Sequence, residues 1–163
     1  MLIGLKKMKN KIVSKNNIYC LFIILIIFFL DRYTKLFILN NFTENTYYLN
    51  DYVNFELVWN TGIGFGLLSF DSPLIYNLIS ALIGGVIIFL FIVALKSEDI
   101  EKIIFSLIIG GAIGNFYDRI FFNAVPDFID FHFNDFHWFV FNVADIFITI
   151  GIIIFIFKSN LVK

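Results

Sequence analysis

The run from Leu74 to Leu95 contains no charged residue, and no other feature restricts the fold of this chain as severely. A bilayer core of about 30 Å is crossed by roughly 20 helical residues, so this run is read as a transmembrane helix. A second run, Trp138 to Phe157, is interrupted only by Asp145. Two shorter runs, Ile18 to Leu30 and Ile103 to Tyr117, reach spanning length only by continuing through charge. The first must pass Asp31 and Lys35 to end near Leu39, and the other must take in Asp118 and Arg119 to end near Phe122. Hydrophobic residues make up 60% of the 163, with a mean hydropathy of +0.87. A soluble chain averages about 45–50%. The expected fold is therefore a mostly α integral membrane protein, one membrane domain over residues 1–163. Its four transmembrane helices are expected at 18–39, 74–95, 103–122 and 138–157, with a small β-sheet or extended region on the outer membrane surface.

Lysines ahead of the first apolar core also suit a cleaved secretory signal, but "LDRYTK" follows where small residues mark a cleavage site, so a retained helix is expected. Lysine also sets the orientation. Lys6, Lys7, Lys9, Lys11 and Lys15 precede the first span, Lys96 and Lys102 separate the second from the third, and Lys158 and Lys163 follow the fourth. With four alternating spans these nine of ten lysines share one side, which puts both termini in the cytoplasm. The outer side receives segments 40–73 and 123–137, with Glu44, Asp51, Glu56, Asp71, Asp127, Asp130 and Asp135. Within the first of these, Val53, Phe55, Leu57 and Trp59 alternate with polar residues, as in a half-buried strand. Trp59 and Trp138 fall at the expected outer interface, where indole rings are favoured.

Asn115 and Asp118 near the end of the third span, and Asn142 and Asp145 near the start of the fourth, repeat the pattern NxxD. Residues three apart share a helix face, so each amide is expected to orient its own carboxylate. One span exits where the next enters, so both pairs meet the same boundary. A carboxylate at bilayer depth costs roughly 2.5–3.5 kcal/mol on insertion scales and usually marks function. Gly110 and Gly114, with Gly111 and Ala112 beside them, permit close helix approach. Two carboxylates brought together hold one proton between them and offer a base and an acid at once, the requirement for hydrolysing a peptide with an activated water. From the residues alone, a purely structural set of Asn and Asp bridges between helices remains equally open, as does a proton relay.

Other chemistries are less well served. No basic patch interleaved with aromatics suggests nucleic acid. Cys20 is the only cysteine and is read as a buried apolar residue. His132 and His137, with Asp130 and Asp135, lack the HExxH arrangement and are read as a solvated or sheet-edge pair, so no metal or cofactor is expected. Asp127 and Asp130 lie in an aromatic outer loop, where exposure is the default. The glycines of "NTGIGFG", Asn60 to Gly66, imply a turn or a close backbone approach, but no following lysine makes a phosphate loop of them.

DRYTK (Asp31 to Lys35), NTGIGFG (Asn60 to Gly66), GGAIGNFYDR (Gly110 to Arg119), VPDFIDF (Val125 to Phe131) and FNVAD (Phe141 to Asp145), in this order, resemble bacterial lipoprotein signal peptidase, signal peptidase II. The resemblance implies an aspartic endopeptidase of the bacterial inner membrane. Its substrate would be a prolipoprotein whose cysteine already carries diacylglycerol, and its partners would be that substrate and membrane lipids; a monomer is expected, although the sequence itself leaves the oligomeric state open. It implies Asp118 and Asp145 as the catalytic pair, with Asn115, Arg119 and Asn142 as polar support. Asn60 would contact substrate, Asp127 would support the site, and Asp31 and Lys35 would form the first-helix pair. Ile63 and Pro126 depart from the residues usual in the family's boxes.

Overall fold

The structure, a computed structural model, describes residues 15–42, 46–62, 72–134 and 136–161. Lys6, Lys7, Lys9, Lys11, Lys163, Glu44, Asp71, Asp135 and the stretch Ile63 to Gly66 lie outside them. Four helices and four strands follow one another as α1 (Lys15–Asn41), β1 (Tyr47–Asn50), β2 (Val53–Asn60), α2 (Pro73–Lys96), α3 (Asp99–Phe122), β3 (Val125–Phe133), β4 (Phe136–Phe141) and α4 (Val143–Leu161).

Three of the helices, α2, α3 and α4, are long and apolar enough to cross a membrane. Their outward surfaces agree with that reading: Leu78, Leu82, Ile88 and Phe89 on α2 are each more than 60% exposed. A water-soluble protein does not leave so large an apolar patch uncovered. α1 is longer, at 27 residues, but its second half carries Asp31, Arg32 and Lys35. The apolar core is thin, with Ile24 of α1 against Phe105 and Ile109 of α3.

α3 is the central helix, packed against α1, α2 and α4. Its glycines explain how. A Cβ on Gly110 would sit 2.9 Å from the Cβ of Ile27, and one on Gly114 would sit 2.5 Å from Asp31 Oδ2, so this face meets α1. A Cβ on Gly111 would sit 2.5 Å from the carbonyl oxygen of Ala144, so the adjacent face meets α4. The run "GGAIG" thus seats a helix on either side, the close approach that small residues allow in membranes.

The strands form one antiparallel sheet in the order β1-β2-β3-β4. β3 leaves α3 through Asn123, whose left-handed backbone (φ 54°) ends the helix as Asn often does. The alternating stretch from Val53 is β2, pairing with β3 from Val53 opposite Phe131 to Asn60 opposite Val125. Two expectations need correction. The fourth helix starts at Val143 and not at Trp138, because residues Phe136 to Phe141 form β4 and Asn142 caps the helix. Asp127 and Asp130 are not loop residues exposed to water but members of β3, 2% and 1% exposed.

Candidate active site

Two groups of charged side chains occupy the end of the bundle beneath the sheet. In the first, the i, i+4 spacing of α1 brings Lys35 Nζ to 2.8 Å from Asp31 Oδ2. The same ammonium donates to Asn115 Oδ1 at 2.8 Å and to Asp118 Oδ2 at 2.7 Å, so all three of its protons are placed. Arg32 pairs with the other oxygen, Asp118 Oδ1, and lays its guanidinium over the Tyr117 ring, 4.7 Å from the centroid. Asp31 Oδ1 accepts from the backbone N–H of Ala144 at 3.0 Å, which ties the group to α4. Two carboxylates face two cations. The set is neutral and fully partnered, and Asp31, Lys35 and Asp118 are all inaccessible to solvent.

The second group is built on the first turn of α4. Asn142 stands at the cap: its Oδ1 accepts from the Asp145 N–H at 3.1 Å, and Asp145 Oδ2 accepts from the Asn142 N–H at 3.1 Å. This is a reciprocal capping box made with Asn and Asp, and it fixes the Asp145 carboxylate at the positive end of the helix. Asn142 has a second task. Its Nδ2 donates to Asp127 Oδ1 at 2.6 Å, so one residue donates to both acids, to Asp127 from its side chain and to Asp145 from its backbone. Asn60, at the end of β2, donates to Asp127 Oδ2 at 2.8 Å, and Asn115 donates to Asp145 Oδ1 at 2.8 Å. Burial first, and then the negative charge of Asp145, push the Asp127 carboxyl up to about 7, against the opposing pull of Asn60, Asn142 and Lys35.

Both of these acids open onto a cavity of about 230 Å³, also lined by Asn60, Asn115 and Arg119 and walled by Ile83 of α2 and Ile148 and Ile152 of α4. Arg119 is held by the carbonyl oxygens of Gly62 at 2.9 Å and Asn115 at 3.3 Å, while its Nε has no partner among the described residues. It supplies the one cation facing the cavity among the described lining residues.

The structure therefore brings Asn60, Asn115, Arg119, Asp127, Asn142 and Asp145 together, and places Asp31, Lys35 and Asp118 beside them in the ion-paired group. The expected meeting of Asp118 with Asp145 is not what is found. The Asp118 carboxylate points to α1, where Lys35 and Arg32 take both oxygens, and Asp118 does not line the cavity. Nor does Asn115 serve its own helix's acid as expected: its amide nitrogen reaches across to Asp145. Arg32 was not singled out from the sequence, although a cation next to Asp31 in "LDRYTK" is a visible sign of a buried charge group. Cys20, read as buried, is only half-buried.

Comparisons with known proteins bear on this arrangement. The family model described as Signal peptidase (SPase) II matches residues 23–161. The chain is 55% identical over 146 residues to a lipoprotein signal peptidase of Pelagibacter ubique (strain HTCC1062), covering 88% of each chain. It is 40% identical over 139 residues to that of Francisella tularensis subsp. novicida (strain U112), covering 82% of this chain and 86% of the relative. In structure it is similar to a bacterial membrane enzyme solved by the in meso method at 2.3 Å resolution, with TM-score 0.72 and 26% identity over 86% of this chain and 87% of the other.

Proposed function

Because the chain belongs to the lipoprotein signal peptidase family, signal peptidase II, and is thus an aspartic endopeptidase of the membrane, we propose that Asp127 and Asp145 are its catalytic pair. The observation that carries this reading is the shared cavity. Asp127 and Asp145 face the same space, linked through Asn142, whereas Asp118 is neutralised by two cations outside it.

The substrate is a prolipoprotein carrying diacylglycerol on its cysteine. Its signal helix lies against the apolar wall formed by α2 and α4, and its scissile peptide reaches the acids at the outer boundary of the bilayer. α1 is the fourth span, both termini are cytoplasmic, and the sheet lies outside, consistent with the lysine distribution. The enzyme works as a monomer and uses no metal at this pair.

Chemistry follows from one proton shared by two acids. The ionised carboxylate takes a proton from water as the water oxygen attacks the carbonyl carbon, while the protonated partner donates to the carbonyl oxygen. Collapse of the tetrahedral intermediate breaks the C–N bond: one hydroxyl returns its proton to the carboxylate that had donated it, and the proton gained by the base passes to the leaving amine, so the pair again holds one proton. Asn60, Asn115 and Asn142 hold the two carboxyl groups in register, and Arg119 offers positive charge to the developing oxyanion.

The test is cleavage of a diacylglyceryl prolipoprotein by the purified protein in lipid. Asp127→Asn and Asp145→Asn are each expected to lower the rate by at least about 10²-fold, the usual contribution of a positioned acid or base. An Asp127→Asn variant that cleaves at the parent rate would overturn the pair, and rapid cleavage of the unlipidated precursor would overturn the substrate.

A further inference from the structure

His132 on β3 and His137 on β4 are direct cross-strand partners. Between Asp130 and His132 the register of this pairing shifts. Such an irregularity re-aims side chains, and here Asp130 and both imidazoles converge. Asp130 Oδ2 lies 2.8 Å from His137 Nδ1 and 3.6 Å from His132 Nδ1, and the three potential ligand atoms all fall within 4.8 Å of one another. The two rings stack at 20° with centroids 5.1 Å apart, and the δ-nitrogens of both lie towards Asp130 Oδ2.

What sets the cluster apart is the hydrogen bonds it lacks. Asp130 is 1% exposed and His132 8%, yet Asp130 Oδ1 and His132 Nδ1 are buried with no hydrogen-bond partner among the described residues. Neither tautomer of His132 repairs this: one leaves a buried donor unmet, the other a buried lone pair. An unpaired buried polar atom costs about 1–3 kcal/mol, and two adjacent ones need an explanation.

We propose that Asp130, His132 and His137 form a binding site for a divalent transition cation of the Zn²⁺ class, separate from the two-acid cavity. Two imidazoles and one carboxylate suit Zn²⁺ and not the all-oxygen preference of Ca²⁺ or Mg²⁺. Bonds of about 2.1 Å in a tetrahedron separate ligand atoms by roughly 3.4 Å, close to the spacings from Asp130, so small side-chain rotations complete the site. The His137 side chain is 53% exposed, which gives the ion an entry path and leaves water the fourth position. The sheet-edge histidine pair expected from the sequence becomes, with Asp130, a clamp between β3 and the edge strand β4, three residues along the chain from Asp127.

The experiment titrates the tag-free full chain, stripped with chelator in detergent, with Co²⁺ and then Zn²⁺. One equivalent of Co²⁺ is expected to give the visible absorption of a four-coordinate nitrogen and oxygen site, to be displaced by Zn²⁺, and Zn²⁺ to raise the melting temperature. His137→Ala, at a half-exposed position where folding is safe, is expected to weaken binding more than about tenfold, since even partners behind a ligand are worth about 10–100-fold. Asp127→Asn is expected to bind as the parent does. The proposal is overturned by absence of stoichiometric uptake, by parent-like binding in His137→Ala, or by loss of binding in Asp127→Asn with retention in His137→Ala.

Discussion

The two groups of acids at the end of the bundle differ in how their charge is met. Asp31 and Asp118 face Lys35 and Arg32 in a closed, neutral set, with an ammonium and a guanidinium as counter-charges. Asp127 and Asp145 receive mostly amide donors: Asn60 and Asn142 for one, Asn115 and a backbone N–H for the other. Amides orient a carboxylate without neutralising it. A buried acid met by cations has its charge balanced locally and serves packing, while a buried pair met by amides keeps a proton available for chemistry.

The sharpest way to break this contrast is to neutralise one acid from each group. Asp127→Asn should remove activity and leave the folded protein in place. Asp118→Asn should act mainly on stability, at about 3–5 kcal/mol, because it takes the paired carboxylate from Arg32 and leaves Lys35 with the Asp31 carboxylate alone. Thermal unfolding in detergent alongside cleavage assays separates the two outcomes, and a stable but inactive Asp118→Asn would reverse the assignment.

A smaller effect is expected where the two groups are pressed together. Gly114→Ala would push a methyl to within 2.5 Å of Asp31 Oδ2, at about 1–3 kcal/mol, and unfolding would show it as a lowered midpoint. Next comes pH. With Asp127 pushed up to about 7, the singly protonated pair persists through mildly acidic pH, and cleavage should fall as pH rises through about 7. The same raised value makes the folded state hold its proton more tightly than the unfolded chain. Stability from this group is therefore present at low pH and lost as pH climbs from the ordinary 3.8 towards about 7. Asp127→Asn should flatten that slope. The finest test is Asn60→Ala: losing a donor to the carboxylate should move the falling limb to higher pH.

Much of this was legible in the residues. Uncharged length marked α2, and glycine spacing marked α3 as the helix that others approach. The site was legible only in part. NxxD was read twice as two residues on one helix face, but the second occurrence sits at a helix start, where the same spacing makes a capping box. That reading depends on where α4 begins, and apolar β4 ran on into it without a visible break. The role of Asp127 was hidden for a related reason. An acid in "VPDFIDF" looks like a loop residue until the strand is known to be covered, and burial of a strand depends on partners distant in the chain. Arg32 took a counter-charge from a residue 86 positions away, which no local pattern reports.

The neutral group also bears on how the chain enters a bilayer. Synthesis delivers α1 first, with Asp31, Arg32 and Lys35 in its second half and one positive charge in surplus among them. On a membrane helix, long basic side chains keep their charged heads in water. Asp118 arrives only with α3, and its carboxylate cancels the surplus and accepts both cations. In the proposed four-span arrangement, the charge of the first helix is thus balanced only once the third is in place.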